Sequence, residues 1–169
     1  MQPSPIRVMK FGGSSLADAD RFRTVADLVA SACSSHRVCV VASAMAGITN
    51  LLLHGGRVPS RDEAEGLLEA FRDRHAQVVA DLTQDLGAEA DALRVELDGL
   101  EALGRRLLYG MALLEEGPPS VLAQVSSLGE RASSLILPAL LKARGPAPRL
   151  LDPVAHIKVE GDPLQARPR

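Results

Sequence analysis

The stretch IRVMKFGGSS, residues 6–15, combines a short β-type run with a glycine turn. Ile6 to Phe11 favours a strand, and Gly12-Gly13-Ser14-Ser15 closes it. From about Asp18 the apolar residues recur at helical spacing until near Ala32. The order therefore predicts a strand, a glycine turn and a helix.

A second strand follows that helix. Val38 to Ala42 is a continuous apolar run, which is typical of a strand buried on both faces of a parallel sheet. Two strands separated by one helix form a β-α-β unit, so the sequence predicts an α/β protein with a parallel sheet.

The region after the second strand has little strand character. One helical pattern runs from Leu67 to Leu82 and a longer one from Leu93 to Leu114. Heptad-like spacing in the longer pattern could indicate a coiled coil, but Gly104 interrupts it. A packed helical hairpin is therefore the favoured interpretation.

A third helix and a further strand are predicted near the C-terminus. Ser120 is placed to cap a helix that runs to about Arg144, where Gly145-Pro146 ends it. Arg149 to Asp152 then favours a short strand, closed by Pro153.

Composition limits the possible functions. The chain has 169 residues, which fits one domain with a hydrophobic core, and only 2% of them are aromatic. The net charge is −2 and the basic residues are scattered, which argues against nucleic acid and against an anionic membrane surface. The N-terminal residues lack the features of a signal peptide, and no apolar run reaches the roughly 18 residues of a membrane span. We expect a cytoplasmic enzyme with a small-molecule partner.

The two cysteines have no His or Cys neighbours at the sequence spacing that is typical of metal ligands. Cys33 and Cys39 flank a short loop without neighbouring His or Cys residues. We expect both to be reduced, half-buried packing residues.

The first candidate site is the turn after the first strand. Glycines let backbone N–H groups approach an anion closely, and a helix N-terminus stabilises negative charge. Lys10 beside Gly12, Gly13 and Ser14 adds a positive charge suited to phosphate oxygens. The alternative is an ordinary strand-to-helix turn with a solvated lysine.

The second candidate site is the small-residue loop from Ser43 to Asn50, just past the carboxyl end of the second strand. Open α/β sheets place their ligands at such ends. Ser43 and Thr49 offer hydroxyl groups, and Ala46-Gly47 allows close backbone approach. The structural alternative for Thr49 is the N-cap of a helix over Asn50 to Leu53.

The third candidate site is SSLGERASS, residues 126–134. On one helix Ser127, Glu130 and Ser134 would share a face, and a carboxylate among small residues suits an ammonium partner. Gly129 inside a helix indicates that something approaches its backbone closely. The alternative is that Glu130 pairs with Arg131 or with solvent.

Together and in this order, the three stretches resemble the aspartokinase family. VMKFGGSSLAD is similar to its N-terminal K-F-G-G-[ST]-S signature, VASAMAGITNLL to its S-A-x-x-x-I-T-N segment, and SLGERASS to its S/H-x-G-E-x-x-S helix. RLLDPV, residues 149–154, also resembles the bifunctional aspartokinase–homoserine dehydrogenases. Leu128 stands where some members have His, and Ser14 where Thr is commoner, and neither difference removes a charge.

The resemblance implies a fold and a reaction. The fold would be a carbamate kinase-like, three-layer amino-acid kinase fold, with a largely parallel sheet and a helical excursion. Residues 1–169 would form its N-terminal, aspartate-binding lobe, without the nucleotide-binding half. The reaction would be ATP-dependent phosphorylation of the L-aspartate side chain, with Mg²⁺ bound to the ATP.

The resemblance also implies roles for individual residues. Lys10 would contact the ATP phosphates and stabilise the transferring group, with Gly12, Gly13 and Ser14 forming the phosphate loop. Ser43 and Thr49 would hold aspartate, and Glu130 would bind its α-ammonium group. We also expect a homo-oligomer or a complementing second half, because an incomplete sheet exposes a hydrophobic edge. The alternative function is a catalytically incomplete half-domain that binds aspartate or a partner chain.

Overall fold

The computed structural model describes residues 5–54, 60–151, 153–162 and 167–168. Its strands are β1 (Ile6–Phe11), β2 (Arg37–Ala42), β3 (Val159–Glu160) and β4 (Arg167–Pro168). Its helices are α1 (Ala19–Cys33), α2 (Ile48–His54), α3 (Arg61–Asp81), α4 (Thr83–Leu86), α5 (Glu89–Leu114), α6 (Pro119–Ser126), α7 (Leu128–Ala143) and α8 (Pro153–His156). The chain is thus an α/β protein with a long helical excursion, as the sequence predicts.

The β1–α1–β2 unit forms as expected. The two strands pair in parallel, with Lys10 opposite Val41 in the register. Asp18 caps α1, because its carboxylate accepts a hydrogen bond from the Arg21 N–H at 2.9 Å. Helix α1 packs on the sheet and buries Phe22 and Val25. The buried apolar side of α1 therefore holds β1 and β2 in place.

The prediction that the second strand is buried on both faces is wrong within the described residues. Cys39 and Val41 are exposed on β2, and Val41 is 46% accessible. Ile6 and Val8 on β1 are 65% and 67% accessible. The continuous apolar run does form a parallel strand, but helices cover only the face that carries Met9 and Phe11. The opposite face of the sheet, which we call the bare face (Ile6, Val8, Cys39 and Val41), is open.

The middle of the chain is a packed helical hairpin, which confirms the favoured interpretation over a coiled coil. Helix α3 begins at a capping box, in which the Ser60 hydroxyl accepts from the Glu63 N–H and the Glu63 carboxylate accepts from the Ser60 N–H. A Cβ added to Gly104 of α5 would lie 3.0 Å from side-chain atoms of Leu68 on α3 and of Leu128 on α7. The glycine that interrupts the heptad pattern thus lets three helices approach one another.

The single helix predicted from Ser120 to Arg144 is in fact two helices. Helix α6 ends at Ser126 and α7 begins at Leu128, and the Ser127 hydroxyl donates to the Gln124 carbonyl at 2.8 Å. The predicted cap is also wrong, since α6 starts with Pro119 after Pro118 and has no side-chain cap. Proline is favourable in the first helical turn, where its missing N–H needs no partner.

The strand predicted at Arg149 to Asp152 is not present at residues 149–151, and Asp152 lies outside the described residues. Sheet pairing in the described part of the chain joins β1 to β2 and β3 to β4, so no neighbouring strand pairs with this segment, and its Leu150 and Leu151 side chains are exposed. A strand needs such a partner for its backbone groups.

Both cysteines are free and exposed, so the prediction that they are half-buried packing residues is wrong. Cys33 ends α1, and Cys39 lies on the bare face. Helices long and apolar enough to cross a lipid bilayer do not occur in the ranges that the structure describes.

Candidate functional site

The glycine turn after β1 touches the loop after β2. A Cβ on Gly13 would lie 2.9 Å from the Ala44 carbonyl oxygen and 3.4 Å from the Ala46 backbone. Real Cβ atoms do not approach backbone so closely, so only glycine fits at this position. The first and second candidate sites are therefore in direct contact.

The third candidate site meets the same loop. A Cβ on Gly129 of α7 would lie 2.7 Å from the Ala44 Cβ and 2.7 Å from the Ile48 Cγ2. Gly129 and Ala44 are both buried. Three stretches that are far apart in sequence thus converge on Ala44, and the absence of side chains at Gly13 and Gly129 makes the contact possible. We call this contact the glycine junction (Gly13, Ala44 and Gly129).

The loop from Ser43 to Gly47 is held from two sides. The Ser43 N–H donates to the Phe11 carbonyl at 3.0 Å, which extends the strand pairing by one residue. Arg74 of α3 donates from Nη2 to the Ala46 carbonyl at 2.8 Å. Gly47 has a φ of +81°, and its missing Cβ leaves room for Arg74 Nη1. The loop is therefore fixed by backbone geometry and by one arginine.

Lys10 lies at the exposed end of β1, next to the glycine turn. Within the described residues its ammonium group has no hydrogen-bond or ion-pair partner. A 3-10 turn spans Gly13–Leu16, with Gly12 as its N-cap. A phosphate bound at the glycines would therefore face the N-terminus of this short turn and not that of α1. The N-terminus of α1 is already capped by Asp18. The first N–H groups of a helical turn have no partner within it and can face an anion.

The interpretation of Thr49 as an N-cap is wrong. Helix α2 begins at Ile48, whose N–H donates to the Met45 carbonyl at 3.0 Å, and Thr49 is already inside the first turn. Ser43 and Thr49 are both half-buried. Neither hydroxyl has a hydrogen-bond partner in the part of the chain that the structure describes, so both are available to a ligand.

Glu130 follows the glycine junction on the first turn of α7. Its Oε2 is buried and has no hydrogen-bond partner among the described residues. The alternative in which Glu130 pairs with Arg131 is wrong, since no ion pair joins these two neighbours. A buried carboxylate oxygen without a donor is unfavourable by roughly 1–3 kcal/mol, and a ligand ammonium group would remove that penalty.

The structure brings the backbones of the three candidate sites together at the glycine junction. The Ser127 hydroxyl is already engaged at the break between α6 and α7, where it donates to the Gln124 carbonyl at 2.8 Å. Sequence reasoning missed Arg74, whose only sequence signal is a charge on the polar side of an amphipathic helix. It also missed Ser133, one turn after Glu130, which is fully buried and whose Oγ has no hydrogen-bond partner among the described residues.

A metal centre made of the protein's own side chains does not occur in the ranges that the structure describes. Within the described ranges, no group of three or more His, Cys, Asp and Glu side chains could hold a metal ion. The described residues near the glycine junction therefore do not form a protein cage for Mg²⁺.

Replacing Gly129 with alanine should destabilise the protein by about 1–3 kcal/mol, because the added methyl group collides with Ala44 and Ile48. Gly99→Ala on α5 is the matched control, since nothing lies within 4 Å of its Cβ position. That control should gain up to about 1 kcal/mol from helix propensity. Urea unfolding of both variants measures the difference, and equal changes in the same direction would contradict the packing at the glycine junction.

Comparison with known proteins places this geometry in a family. Residues 5–167 match the model of the amino acid kinase family. The chain therefore belongs to the amino acid kinase family.

Within that family, the chain is similar to aspartokinases. It is 35% identical over 151 residues to the chloroplastic aspartokinase 3 of Arabidopsis thaliana, covering 86% of this chain and 25% of that protein. It is 29% identical over 170 residues to a bifunctional aspartokinase/homoserine dehydrogenase of Haemophilus influenzae, covering 95% and 20%. The chain thus spans about a quarter or less of the length of these relatives.

A solved structure supports the same placement. The crystal structure of E. coli aspartokinase III in complex with aspartate and ADP matches with a TM-score of 0.70 and 31% identity. The match covers 83% of this chain and 29% of that one. The resemblance read from the three motifs is thereby confirmed at the level of family and fold.

Proposed function

We propose that this chain is the aspartate-binding lobe of an aspartate kinase, which transfers the γ-phosphate of ATP to the side-chain carboxylate of L-aspartate. The product would be 4-phospho-L-aspartate, in the first step of lysine, threonine and methionine biosynthesis. The observation that carries the proposal is the buried, unpaired Oε2 of Glu130 beside the glycine junction. The similarity to aspartokinases supports it.

Aspartate would bind between the loop after β2 and the start of α7. The Glu130 carboxylate would accept hydrogen bonds from the α-ammonium group, which supplies the donor that Oε2 lacks. The Ser43 and Thr49 hydroxyls would hold the substrate in place. They are half-buried and unpaired among the described residues, so each can bond to aspartate without breaking a hydrogen bond there.

The phosphates of ATP would bind at the glycine turn after β1. Lys10 would lie against the phosphate oxygens, while Gly12, Gly13 and Ser14 present backbone N–H groups. An oxygen of the aspartate carboxylate attacks the γ-phosphorus, the bond from that phosphorus to the bridging oxygen breaks, and ADP leaves. The substrate is itself the nucleophile, so the protein contributes positioning and charge stabilisation.

The chain would be part of a larger functional unit. We assign residues 1–169 to a partial amino-acid kinase domain that works with a nucleotide-binding half. Mg²⁺ would arrive bound to the phosphates of ATP, which is how this ion is usually held in kinases. The second half would come from the same polypeptide, from a complementing chain or from an oligomer.

A second candidate function is supported by the bare face. Ile6, Val8 and Val41 expose apolar area on an open sheet, which favours contact with another polypeptide. The chain would then be a half-domain that binds aspartate or a partner chain without catalysis.

Isothermal titration of the chain with L-aspartate and, separately, with Mg-ATP distinguishes these two functions. We expect L-aspartate to bind, and L-asparagine and D-aspartate to bind at least about tenfold more weakly, because a charge-assisted contact is lost or misplaced. Binding of both aspartate and Mg-ATP supports the kinase, and binding of aspartate alone supports the half-domain. Absence of aspartate binding would contradict the kinase and the aspartate-binding half-domain, and would leave only a half-domain that binds a partner chain.

A further inference from the structure

Arg74 of α3 joins the helical hairpin to the loop after β2. Its Nη2 donates to the Ala46 carbonyl at 2.8 Å, although the two residues are 28 positions apart in the sequence. Its Nη1 lies over Gly47, at 3.1 Å from the position that a Cβ would take. One planar guanidinium group therefore contacts the loop at two successive residues.

The charge of Arg74 is not used in an ion pair. Among the described residues, no carboxylate lies within ion-pair distance of its guanidinium group. Arg72 on the same helix, by contrast, pairs with Asp73 at 3.1 Å. Arg74 is exposed, so its long side chain loses conformational entropy when it is held against the loop. The polar group that holds it there is the Ala46 carbonyl.

The loop that Arg74 contacts lies between the two hydroxyl groups assigned to aspartate. Ser43, on one side, is fixed by strand pairing, since its N–H donates to the Phe11 carbonyl at 3.0 Å. Thr49, on the other side, lies in the first turn of α2. Gly47 precedes α2 directly and has a φ of +81°. Glycine has the freest backbone of all residues, so a change at Gly47 would move α2 relative to β2 unless the neighbouring peptide is held.

We propose that Arg74 is a positioning residue for aspartate, which holds the Ala46 carbonyl and thereby fixes the Thr49 hydroxyl relative to Ser43. A peptide group is planar, so holding its carbonyl also fixes the plane from which Gly47 and α2 continue. The inference rests on the proposed aspartate site and adds a side chain of the helical hairpin to it. Arg74 does not contact the substrate; it keeps two hydroxyls in place before the substrate arrives, which strengthens binding.

Isothermal titration of L-aspartate into the Arg74→Ala chain tests this role. We expect the dissociation constant to rise about five- to tenfold, as expected for loss of a charge-assisted hydrogen bond at an exposed position. Arg72→Ala is the matched control, because it removes an exposed arginine from the same helix whose ion-pair partner is its own neighbour Asp73. The control should leave the dissociation constant within about twofold.

A double-mutant cycle with Thr49→Val separates positioning from simple attraction between charges. If Arg74 acts by placing the Thr49 hydroxyl, Arg74→Ala should weaken binding by less than about twofold once that hydroxyl is absent. A guanidinium group that only attracted the negative charge of aspartate would have the same effect with and without the hydroxyl. Equal effects in the two backgrounds would therefore overturn the positioning role.

Amide hydrogen exchange reports on the loop without any ligand. The Ile48 N–H donates to the Met45 carbonyl at 3.0 Å, across the peptide that Arg74 holds. We expect this N–H to exchange about tenfold faster in Arg74→Ala and at an unchanged rate in Arg72→Ala. An Arg74→Ala chain in which this rate does not change would contradict the proposal.

The two measurements also separate this inference from the proposed function. If the unsubstituted chain binds aspartate and Arg74→Ala binds it equally well, the positioning role alone is overturned. If the unsubstituted chain binds no aspartate, the proposed aspartate site fails and the role of Arg74 in binding fails with it. The exchange rate of the Ile48 N–H then shows only whether Arg74 holds the loop as part of the fold.

Discussion

We expect the replacement of Lys10 with alanine to lower the turnover of aspartate-dependent phosphoryl transfer by about 100- to 1,000-fold, as is typical when one charge-stabilising group is removed from a transition state. The reason is that Lys10 places an unpaired positive charge beside the glycine turn where the phosphates would bind. Negative charge builds up on the transferring group and the leaving oxygen in the transition state. Loss of the lysine charge should therefore lower turnover. The Michaelis constant for aspartate should change less than about threefold, since Lys10 would contact the phosphate and not aspartate.

The measurement is made on a polypeptide in which this chain is followed by the part of an aspartokinase that it does not span. Arg7→Ala is the control, because Arg7 is another exposed cation on the same strand. Its substitution should leave turnover within about twofold of the unsubstituted protein, as expected for surface residues away from the chemistry. A Lys10 variant that raises the aspartate requirement as much as it lowers turnover would contradict the assigned role.

The β1–α1–β2 unit could be predicted because each element carries a local signal. The apolar runs at Ile6 to Phe11 and Val38 to Ala42 predicted both strands, and Asp18 was recognised at the helix start. The position of Gly129 inside a helix also predicted that another part of the protein approaches its backbone closely, and Ala44 and Ile48 do so. Such signals depend on spacing and on glycine geometry, which are visible in a single sequence.

Features that depend on distant partners could not be predicted. Nothing near Ala46 in the sequence indicates that Arg74, 28 residues away, binds its carbonyl oxygen. The apolar run of β2 correctly indicated a strand, but its pattern does not reveal whether both faces are covered by the same chain. Thr49 has the residue type of an N-cap, yet the helix begins at Ile48, directly after Gly47 with its positive φ and two residues earlier than expected.

The site was predicted from a combination of weak signals rather than from any one of them. A glycine turn, a hydroxyl-bearing loop and a helical glutamate are each common in ordinary turns and helices. Their contact at Ala44 gives the combination a physical basis, because Gly13 and Gly129 both lack the side chain that would prevent it. No sequence signal of this kind indicated that the buried His75 Nε2 lacks a partner among the described residues, because the ring tautomer depends on the Phe71 carbonyl.

Replacing Glu130 with glutamine should raise the Michaelis constant for aspartate by about 10- to 100-fold, the range expected for loss of a charge-assisted hydrogen bond. The amide keeps the size of the side chain but removes the charge that would attract the α-ammonium group. Turnover at saturating aspartate should fall less than about threefold, because the ammonium is remote from the transferring phosphate. Initial rates over a range of aspartate concentrations, in the same extended polypeptide, separate the two effects.

The stability of Glu130→Gln distinguishes a binding role from a structural one. Oε2 accepts no hydrogen bond within the described residues, so Glu130→Gln breaks no such contact and should lower the free energy of unfolding by no more than about 1 kcal/mol, the size of a helix-dipole interaction. Asp62→Asn is the control, because Asp62 is also an acid in the first turn of a helix, α3, and is exposed. If Glu130→Gln destabilises the chain by several kcal/mol and leaves the aspartate requirement unchanged, the glutamate supports the fold and does not bind the substrate.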